Sequence, residues 1–197
     1  MHIVTKMAQI NKLVKKKWDT FEKHVDLPQE VSAVYEDSIL TVKGPKGEIS
    51  KKMRYPFVYI KVDGSKIIIG TNHFSQKEKK IISTYEAHAN NLVKGVTEGF
   101  EYKLAIVYAK FPMTVGLSGS KFEVKNLLGE KVPRTFEIPS DVKVEIKGKE
   151  IVVSGIDKEK TGQVAARIEQ LTKITHLDRR VVQDGIFITK KPHKSYV

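Results

Sequence analysis

Residues 42–48 read Val-Lys-Gly-Pro-Lys-Gly-Glu, and residues 124–130 read Val-Lys-Asn-Leu-Leu-Gly-Glu. Both stretches have the form Val-Lys, three residues, Gly-Glu, and they lie 82 residues apart. Another pair follows in the same order, because Val-Thr-Glu-Gly-Phe at 96–100 matches Val-Gln-Asp-Gly-Ile at 182–186, at a separation of 86 residues. Such a separation is the size of one small domain and is too long for the unit of a solenoid. The sequence therefore predicts a tandem duplication of two small domains.

Each repeat combines short strands with one helix. Apolar residues alternate with polar ones at Val58, Ile60 and Val62 in the first repeat and over residues 142–146 in the second, which is the period of a half-buried strand. An amphipathic helical pattern follows the strands in each repeat. Strands first and a single helix afterwards are typical of an α+β domain in which a mostly antiparallel sheet packs with one main helix.

The two predicted helices begin at recognisable caps. Ser75 and Glu78 have the spacing of a capping box and predict a helix over about residues 75–93. Asp157 is the candidate N-cap of the second helix. The alternating segment Phe100–Tyr108 is predicted to be the strand that closes the first repeat.

These elements set the predicted domain boundaries. The first α+β domain covers residues 25–105 and the second covers residues 106–190. Residues 1–24 form a basic amphipathic N-terminal extension, and residues 191–197 form a basic C-terminal tail.

The charge of the chain points to a polyanionic partner. The 197 residues carry 35 Lys and Arg against 23 Asp and Glu, a net charge of +12. A surplus of this size favours nucleic acid or an acidic membrane face. Lysine supplies 30 of the basic residues, and lysine binds phosphate as a point charge, whereas arginine also reads base edges with its planar fork. We therefore expect binding to a nucleic-acid backbone more than readout of bases.

Several classes of protein are excluded by what the sequence lacks. The chain contains no Cys, which excludes disulfides, thiol nucleophiles and iron–sulfur clusters. It has no apolar run of about 18 residues that could span a membrane, and its first 20 residues lack the apolar core of a signal peptide. We expect a soluble, cytoplasmic protein.

No arrangement of catalytic residues is visible in the sequence. The HExxH, GxSxG, P-loop and GxGxxG motifs do not occur. His73 precedes the first predicted helix and His88 lies within it, but they have no carboxylate at ligand spacing and are weak candidates for a metal site. We predict no enzymatic activity, no metal, no cofactor and no small-molecule substrate.

Residues 44–47, Gly-Pro-Lys-Gly, match the GxxG loop with which a KH domain clamps an RNA backbone. A KH loop joins two helices, whereas strand-like segments flank this one. A Pro-Lys-Gly sequence between strands is typical of a turn. We favour a hairpin turn and keep the clamp as an alternative.

The basic residues with the best case for contacting phosphate lie in the second repeat. Two arginines precede its final strand and lysines follow that strand, so that the two groups sit at its ends, at most about 30–35 Å apart. Two lysines open the second helix, where free backbone N–H groups favour phosphate. The candidate RNA-binding residues are Lys158, Lys160, Gln163, Arg167, Arg179, Arg180, Lys190, Lys191 and Lys194.

Longer motifs cover about residues 25–190. They include Val-Asp-Leu-Pro at 25–28, the thirteen residues Asn-Leu-Val-Lys-Gly-Val-Thr-Glu-Gly-Phe-Glu-Tyr-Lys at 91–103, and Asp-Gly-Ile-Phe-Ile at 184–188. In these motifs the chain resembles the large-ribosomal-subunit protein L-six family in its archaeal and eukaryotic form. The resemblance implies two homologous α+β domains without enzymatic activity, located in cytoplasmic ribosomes. It also implies binding to large-subunit ribosomal RNA near the translation-factor site and the stalk base, mainly through the second domain, beside neighbouring large-subunit proteins.

The family's signature around the final strand is largely present. The matching residues are Gln170, Ile174, Arg180, Asp184, Gly185 and Ile186. The chain departs from it at Leu177, where a basic residue is usual, at Val182, where Phe is usual, and at Phe187, which replaces Tyr. We assign Asp184 and Gly185 to a tight turn rather than to contact with RNA.

The N-terminal extension is covered poorly by the resemblance. Its apolar residues recur at spacings of three and four with lysines around them, as in an amphipathic helix, at Met7, Ile10, Val14, Trp18 and Phe21. The stripe could pack on the first domain or on a neighbouring ribosomal protein, or it could lie on an acidic membrane. A third possibility is that the true start is Met7. We favour packing, because basic extensions accompany many ribosomal proteins.

Two functions fit these observations. The favoured one is a structural constituent of the large ribosomal subunit that binds its RNA. The alternative is a free-standing RNA-binding regulator that uses the GxxG-like loop and the basic surface.

Overall fold

The computed structural model describes residues 21–73, 75–109 and 111–192, together with the backbone of residues 194–195. The chain divides into two compact units, Met1–Thr97 and Glu98–Val197. The amphipathic helix predicted for the N-terminal extension lies, up to residue 20, outside the described residues.

The first unit builds two three-stranded antiparallel sheets and one helix. Its elements are β1 (Phe21–Asp26), β2 (Ser32–Glu36), β3 (Ile39–Gly44), β4 (Gly47–Lys52), β5 (Val58–Asp63), β6 (Lys66–Thr71) and α1 (Gln76–Thr97). One sheet has the order β1-β6-β5 and the other has the order β2-β3-β4. The apolar side chains of alternating strand positions and of one face of α1 are fully buried, among them Leu40, Val42, Ile67, Ile69, Ile82 and Ala89.

The second unit repeats this order of elements. It contains β7 (Phe100–Val107), β8 (Thr114–Ser118), β9 (Lys121–Lys125), a 3-10 turn (Leu127–Gly129), β10 (Arg134–Glu137), β11 (Val142–Lys147), β12 (Glu150–Gly155), α2 (Lys158–Leu171), β13 (Gly185–Lys191) and β14 (Lys194–Ser195). Its sheets have the orders β10-β9-β8 and β11-β12-β7-β13-β14. Each unit thus has a first strand, a three-stranded meander, a hairpin and a helix, which confirms the predicted α+β duplication.

The strand that begins at Phe100 belongs to the second unit. The alternating pattern predicts it at the end of the first domain, 25–105, but β7 pairs with β12 on one side and with β13 on the other. The division between the units accordingly falls after Thr97. Alternation along a strand shows that it has a buried face but not which sheet it joins, because pairing depends on residues far away in sequence.

Phe21 lies in a strand and not in the predicted helical stripe. Residues Phe21–Asp26 form β1, which pairs antiparallel with β6 so that Phe21 lies opposite Thr71 and Val25 opposite Ile67. The apolar residues Phe21 and Val25 are also compatible with a period of two, and pairing with β6 selects the extended conformation. The extension predicted for residues 1–24 therefore overlaps the first strand of the fold.

The described residues of the predicted C-terminal tail belong to a hairpin. Lys190 and Lys191 are the last residues of β13, and the two-residue strand β14 pairs back on them. The predicted tail at 191–197 therefore begins with a hairpin.

The glycine-rich residues 44–47 form the turn of the β3–β4 hairpin, in which Gly44 and Gly47 are paired. The Lys46 N–H donates to the carbonyl of Val96 in the last turn of α1, at 3.0 Å. A Cβ atom at Gly44 would lie 2.7 Å from Cγ2 of Val96, so glycine is needed for this close approach. The predicted hairpin turn is confirmed, and the segment joins two strands, unlike the loop of a KH domain.

Both predicted helix caps are present. Ser75 precedes α1, its hydroxyl is bonded to the carboxylate of Glu78, and its Oγ accepts the Lys77 N–H at 3.3 Å. Asp157 is the N-cap of α2, and its carboxylate accepts the N–H of Glu159 at 2.8 Å. Each cap satisfies backbone donors that a helix leaves free at its N-terminus. Neither helix among the described residues is long and apolar enough to cross a lipid bilayer.

Candidate nucleic-acid interface

The predicted RNA-binding residues lie on α2, on the connection between α2 and β13, and on the β13–β14 hairpin. The start of α2 is next to the start of β7, because Lys158 Nζ lies 5.9 Å from the centre of the Phe100 ring. β13 runs antiparallel to β7, so its last residues, including Lys190 opposite Lys103, lie towards that same end. The arginine pair, Arg179 and Arg180, precedes the first residue of β13. The first and last residues of a seven-residue strand lie about 20 Å apart. The structure thus separates the candidates into two groups.

The start of α2 is less available to phosphate than the sequence suggested. The Asp157 carboxylate already accepts the N–H groups of Glu159 and Lys160, the latter at 3.5 Å. The side chain of Lys160 forms an ion pair with Asp141. This hydrogen bond raises the pKa of Lys160 and lowers the pKa of Asp141. Two carboxylates therefore stand beside the predicted anion site, and they oppose the approach of another anion.

Gln163 and Arg167 share the outer face of α2. Both are exposed and stand one helical turn apart, because residues at i and i+4 are neighbours on a helix. The opposite face buries Val164, Ala165 and Ile168 in the core of the unit. Packing of that inner face fixes which side of α2 can meet a partner, and it directs Arg167 outward.

Arg179 and Arg180 are held in place by their neighbours. The guanidinium of Arg179 lies over the ring of Phe187, at 5.4 Å from its centre. Arg180 donates to the carboxylate of Asp178, with Nη2 at 2.9 Å from Oδ2, while its side chain remains 91% exposed. This hydrogen bond raises the pKa of Arg180 and lowers the pKa of Asp178. Contacts of this kind restrict two long side chains without covering them.

Lys190 and Lys191 project from the last residues of β13 and are exposed. Burial raises the pKa of the Tyr102 phenol, and the nearby positive charge of Lys191 acts in the opposite direction and lowers it. The side chain of Lys194, the remaining candidate, lies outside the described part of the chain.

Asp184 has a structural role that the sequence analysis did not predict. It is 4% exposed and accepts the N–H of Ala109 at 2.7 Å. It directly precedes β13, and Gly185 is the first residue of that strand, so the assignment of this pair to a tight turn is wrong. The bond joins the connection after β7 to the residue that precedes β13. The Asp184 side chain is buried inside the unit, and the expectation that it makes no contact with RNA stays a prediction.

Arg134 is a second structural residue that the sequence analysis missed. Its Nη1 donates to the carbonyls of Leu171 at 2.8 Å and Lys173 at 3.2 Å, at the end of α2. Nη2 and Nε bind the two oxygens of Glu130, and this hydrogen bond lowers the pKa of Glu130. Arg134 therefore holds the start of the connection that carries the arginine pair. The i, i+4 spacing of Glu130 and Arg134 is no sequence signal here, because it indicates an ion pair only on a helix and this segment is not helical.

The two histidines considered as metal ligands have other neighbours. His73 stacks against Phe57 with ring centres 5.6 Å apart. Nδ1 of His88 lies 3.1 Å from Nζ of Lys51. Within the described residues, no group of three or more His, Asp or Glu side chains could hold a metal ion.

Comparison with known proteins identifies the family. The model of the family described as ribosomal protein L6 matches residues 27–99 and 111–185, one segment in each repeat. The chain belongs to the ribosomal protein L6 family. Membership confirms the family predicted from the motifs, and it makes the chain a structural ribosomal protein and not an enzyme. Of the candidate residues, those from Lys158 to Arg180 fall inside the second matched segment, whereas the three lysines of the hairpin fall beyond it.

Relatives from archaea agree with the archaeal form of the family. The chain is 43% identical to the large ribosomal subunit protein uL6 of Methanosarcina mazei over 167 residues, which cover 85% of this chain and 95% of that protein. It is 41% identical to the protein of the same name from Haloarcula marismortui over 170 residues, with coverages of 86% and 96%. The corresponding protein of Natronomonas pharaonis is 39% identical over 173 residues, with coverages of 88% and 98%.

Proposed function

We propose that this L6-family protein is a structural constituent of the large ribosomal subunit, and that its second unit binds large-subunit ribosomal RNA through phosphate contacts. The names of the archaeal relatives support the first part. The position near the translation-factor site and the stalk base is the one that the family resemblance implies. Its other partners in the subunit are neighbouring large-subunit proteins.

The arginine pair carries the proposal for the RNA contact. Arg179 and Arg180 are both exposed, and the ring of Phe187 limits the conformations that Arg179 samples. Arg180 is bonded to Asp178 in the free protein and exchanges that carboxylate for a phosphate on binding. Restricting an arginine before binding reduces the entropy lost when it meets phosphate, and the guanidinium then offers two parallel donors. Arg167 and the hairpin lysines extend the positive surface on the same unit.

Sedimentation tests membership of the subunit. We expect the chain in native lysate to migrate with large subunits in a low-salt sucrose gradient and to remain there after a wash in molar salt. Loss after the wash would indicate an associated factor held by screened charges. Absence from the large subunit in both gradients would refute the proposal and favour the free-standing regulator.

A pair of matched variants tests the site. Arg179→Glu with Arg180→Glu reverses two charges at the proposed contact, and Lys121→Glu with Lys131→Glu makes the same change elsewhere on the unit. The slope of log affinity against log salt is negative. If both arginines neutralise phosphates, the variant makes this slope shallower by about 1.5–2 for transcribed large-subunit RNA. The lysine control is expected to change it by less than half of that. Equal losses in the two variants, with both folded, would exclude the arginine pair as the docking site.

A further inference from the structure

The outward face of α1, in the first unit, carries a concentration of positive charge. The helix contains four lysines, and all of them are exposed. They are Lys77, Lys79, Lys80 and Lys94. Within the part of the chain that the structure describes, no ammonium group of these four lysines is in an ion pair, and the side-chain hydrogen bonds of Lys77, Lys80 and Lys94 involve their backbone groups.

Both acidic residues of α1 have partners inside the first unit. Glu78 is 6% exposed, and its carboxylate is bonded to the Ser75 hydroxyl at the start of the helix. Glu86 is half-buried and forms an ion pair with Lys23 of β1. Both glutamates of the helix are therefore committed to contacts inside the first unit. Glu78 also interacts electrostatically with the neighbouring Lys77, so the positive charge of the outward face comes mainly from Lys79, Lys80 and Lys94.

The spacing of these lysines suits an extended polyanion. Lys80, Ala87 and Lys94 follow one another at intervals of seven residues, so they line up along the axis, and the two lysines stand about 21 Å apart. The exposed positions between them carry short side chains, Thr84, Ala87 and Asn90. The short side chains in the middle of the helix allow a phosphate backbone to approach closely. The long lysine side chains towards both ends can then contact its phosphates.

The outer face of α2 offers a contrast. There Lys160 is paired with Asp141 and Glu159 is exposed beside it, which leaves Arg167 as the cation in the middle of the helix. Of the two helices, the one in the first unit presents the more uniform positive surface. The candidate residues chosen from sequence were all in the second unit.

We propose that the outward face of α1 is a second RNA-contact surface, on the first unit, that binds the phosphate backbone of double-helical ribosomal RNA. The proposal rests on the proposed function, because ribosomal RNA is the polyanion that a ribosomal protein meets. Lysines without an arginine fork or an aromatic side chain bind phosphates without reading bases. Duplex RNA is recognised mostly in this way, through backbone and shape. The face has Ala87 as its exposed apolar side chain, whereas the core of a protein–protein interface is rich in large apolar and aromatic residues.

Neutralising the face tests the proposal. The variant Lys77→Gln/Lys80→Gln/Lys94→Gln removes three charges and keeps good helix formers. The control Lys43→Gln/Lys52→Gln/Lys66→Gln removes three charges from exposed strand lysines of the same unit. Binding of the full chain to transcribed large-subunit RNA of the same organism is measured over a range of salt. We expect the helix variant to make the negative slope of log affinity against log salt shallower by about 2 and to lower the affinity at least tenfold. The control is expected to lower the affinity less than threefold.

The outcomes separate this inference from the proposed function. If the wild-type chain binds the RNA and the two variants behave alike, the α1 surface is refuted while the proposed function stands. If the wild-type chain does not bind large-subunit RNA at all, the proposed function fails and the inference fails with it. Circular dichroism of both variants shows whether they are folded.

The absence of cysteine allows a second, position-specific measurement. Ala87→Cys introduces a single thiol into a chain that has none, and an iron–EDTA reagent attached to it generates hydroxyl radicals locally. In large subunits that contain this variant, we expect cleavage of ribosomal RNA, with the cysteine-free wild type as the control. Cross-linking from Cys at position 87 to an acidic protein, without cleavage of RNA, would overturn the proposal.

Discussion

Replacing Gly44 by alanine tests how the glycine-rich hairpin is fastened to α1. The new Cβ would lie 2.7 Å from Cγ2 of Val96, 2.9 Å from its Cβ and 3.1 Å from its carbonyl oxygen. Contacts of this length are repulsive, and two of these atoms belong to the backbone or lie next to it. The hairpin must move away from the helix, and the hydrogen bond from Lys46 N–H to Val96 would lengthen.

The cost follows from three contributions. Overpacking a filled site costs about 1–3 kcal/mol, and loss of the hydrogen bond costs about 1 kcal/mol. Alanine restricts the unfolded chain and returns about 0.4–1 kcal/mol. We expect Gly44→Ala to lower the free energy of unfolding by about 2 kcal/mol, which for a domain of this size shifts Tm by about 10 °C.

The assay is urea unfolding followed by circular dichroism, with hydrogen exchange to locate the loss in the first unit. Gly116→Ala is the matched control, because a Cβ there meets no atom within 4 Å, and we expect a change below about 0.5 kcal/mol. The double variant Gly44→Ala/Val96→Ala removes the nearest clashing atom, so its cost is expected to be less than the sum of the single variants. If Gly44→Ala is as stable as wild type and the Lys46 amide stays protected, the close approach does not constrain this position.

Two further predictions concern single polar contacts. Asp184→Ala removes the buried carboxylate that accepts the N–H of Ala109, and since a hydrogen bond to a charged group contributes about 1.5–3 kcal/mol, we expect a loss of that size in urea unfolding. Asp184→Asn keeps an oxygen acceptor and is expected to lose less; equal losses in the two variants would show that the hydrogen bond is unimportant. The hydrogen bond from Tyr59 to Glu22 raises the pKa of Tyr59 from 10.0 to about 12. A raised pKa in the folded state gives stability that is complete below pH 10 and is lost between pH 10 and about 12, because the unfolded tyrosine ionises first. Tyr59→Phe is therefore expected to have a smaller loss of stability than wild type over this interval, and parallel pH curves would contradict the assignment.

Local signals in the sequence predicted the repeated part of the fold correctly. The caps at Ser75 and Asp157 and the turn at residues 44–47 depend on residues within a few positions of each other, so the sequence displays them directly. The alternating strands and the two amphipathic helices are visible for the same reason. The duplication added a check, because each pattern occurred twice in the same order.

The candidate site was predictable in composition but not in detail. The sequence shows that Lys160, Arg179 and Arg180 are cations near the start of a helix and before a strand. It does not show that Lys160 is neutralised by Asp141 or that Arg179 lies on Phe187. Nor does it show that the glutamates of α1 face inward, since that depends on which side of the helix packs on the strands.

The sequence by itself determined the duplication, the α+β class, the helix starts and the positive balance of charge. These properties depend on periodicity, on caps and on counting residues, which involve neighbours along the chain. Only the tertiary structure decided that β7 joins the second sheet, that Phe21 lies in a strand and that Asp184 is an internal anchor for Ala109. In each case the deciding partner lies dozens of residues away, and the free energy gained by burying apolar surface and satisfying backbone groups selects among arrangements that the local sequence permits equally.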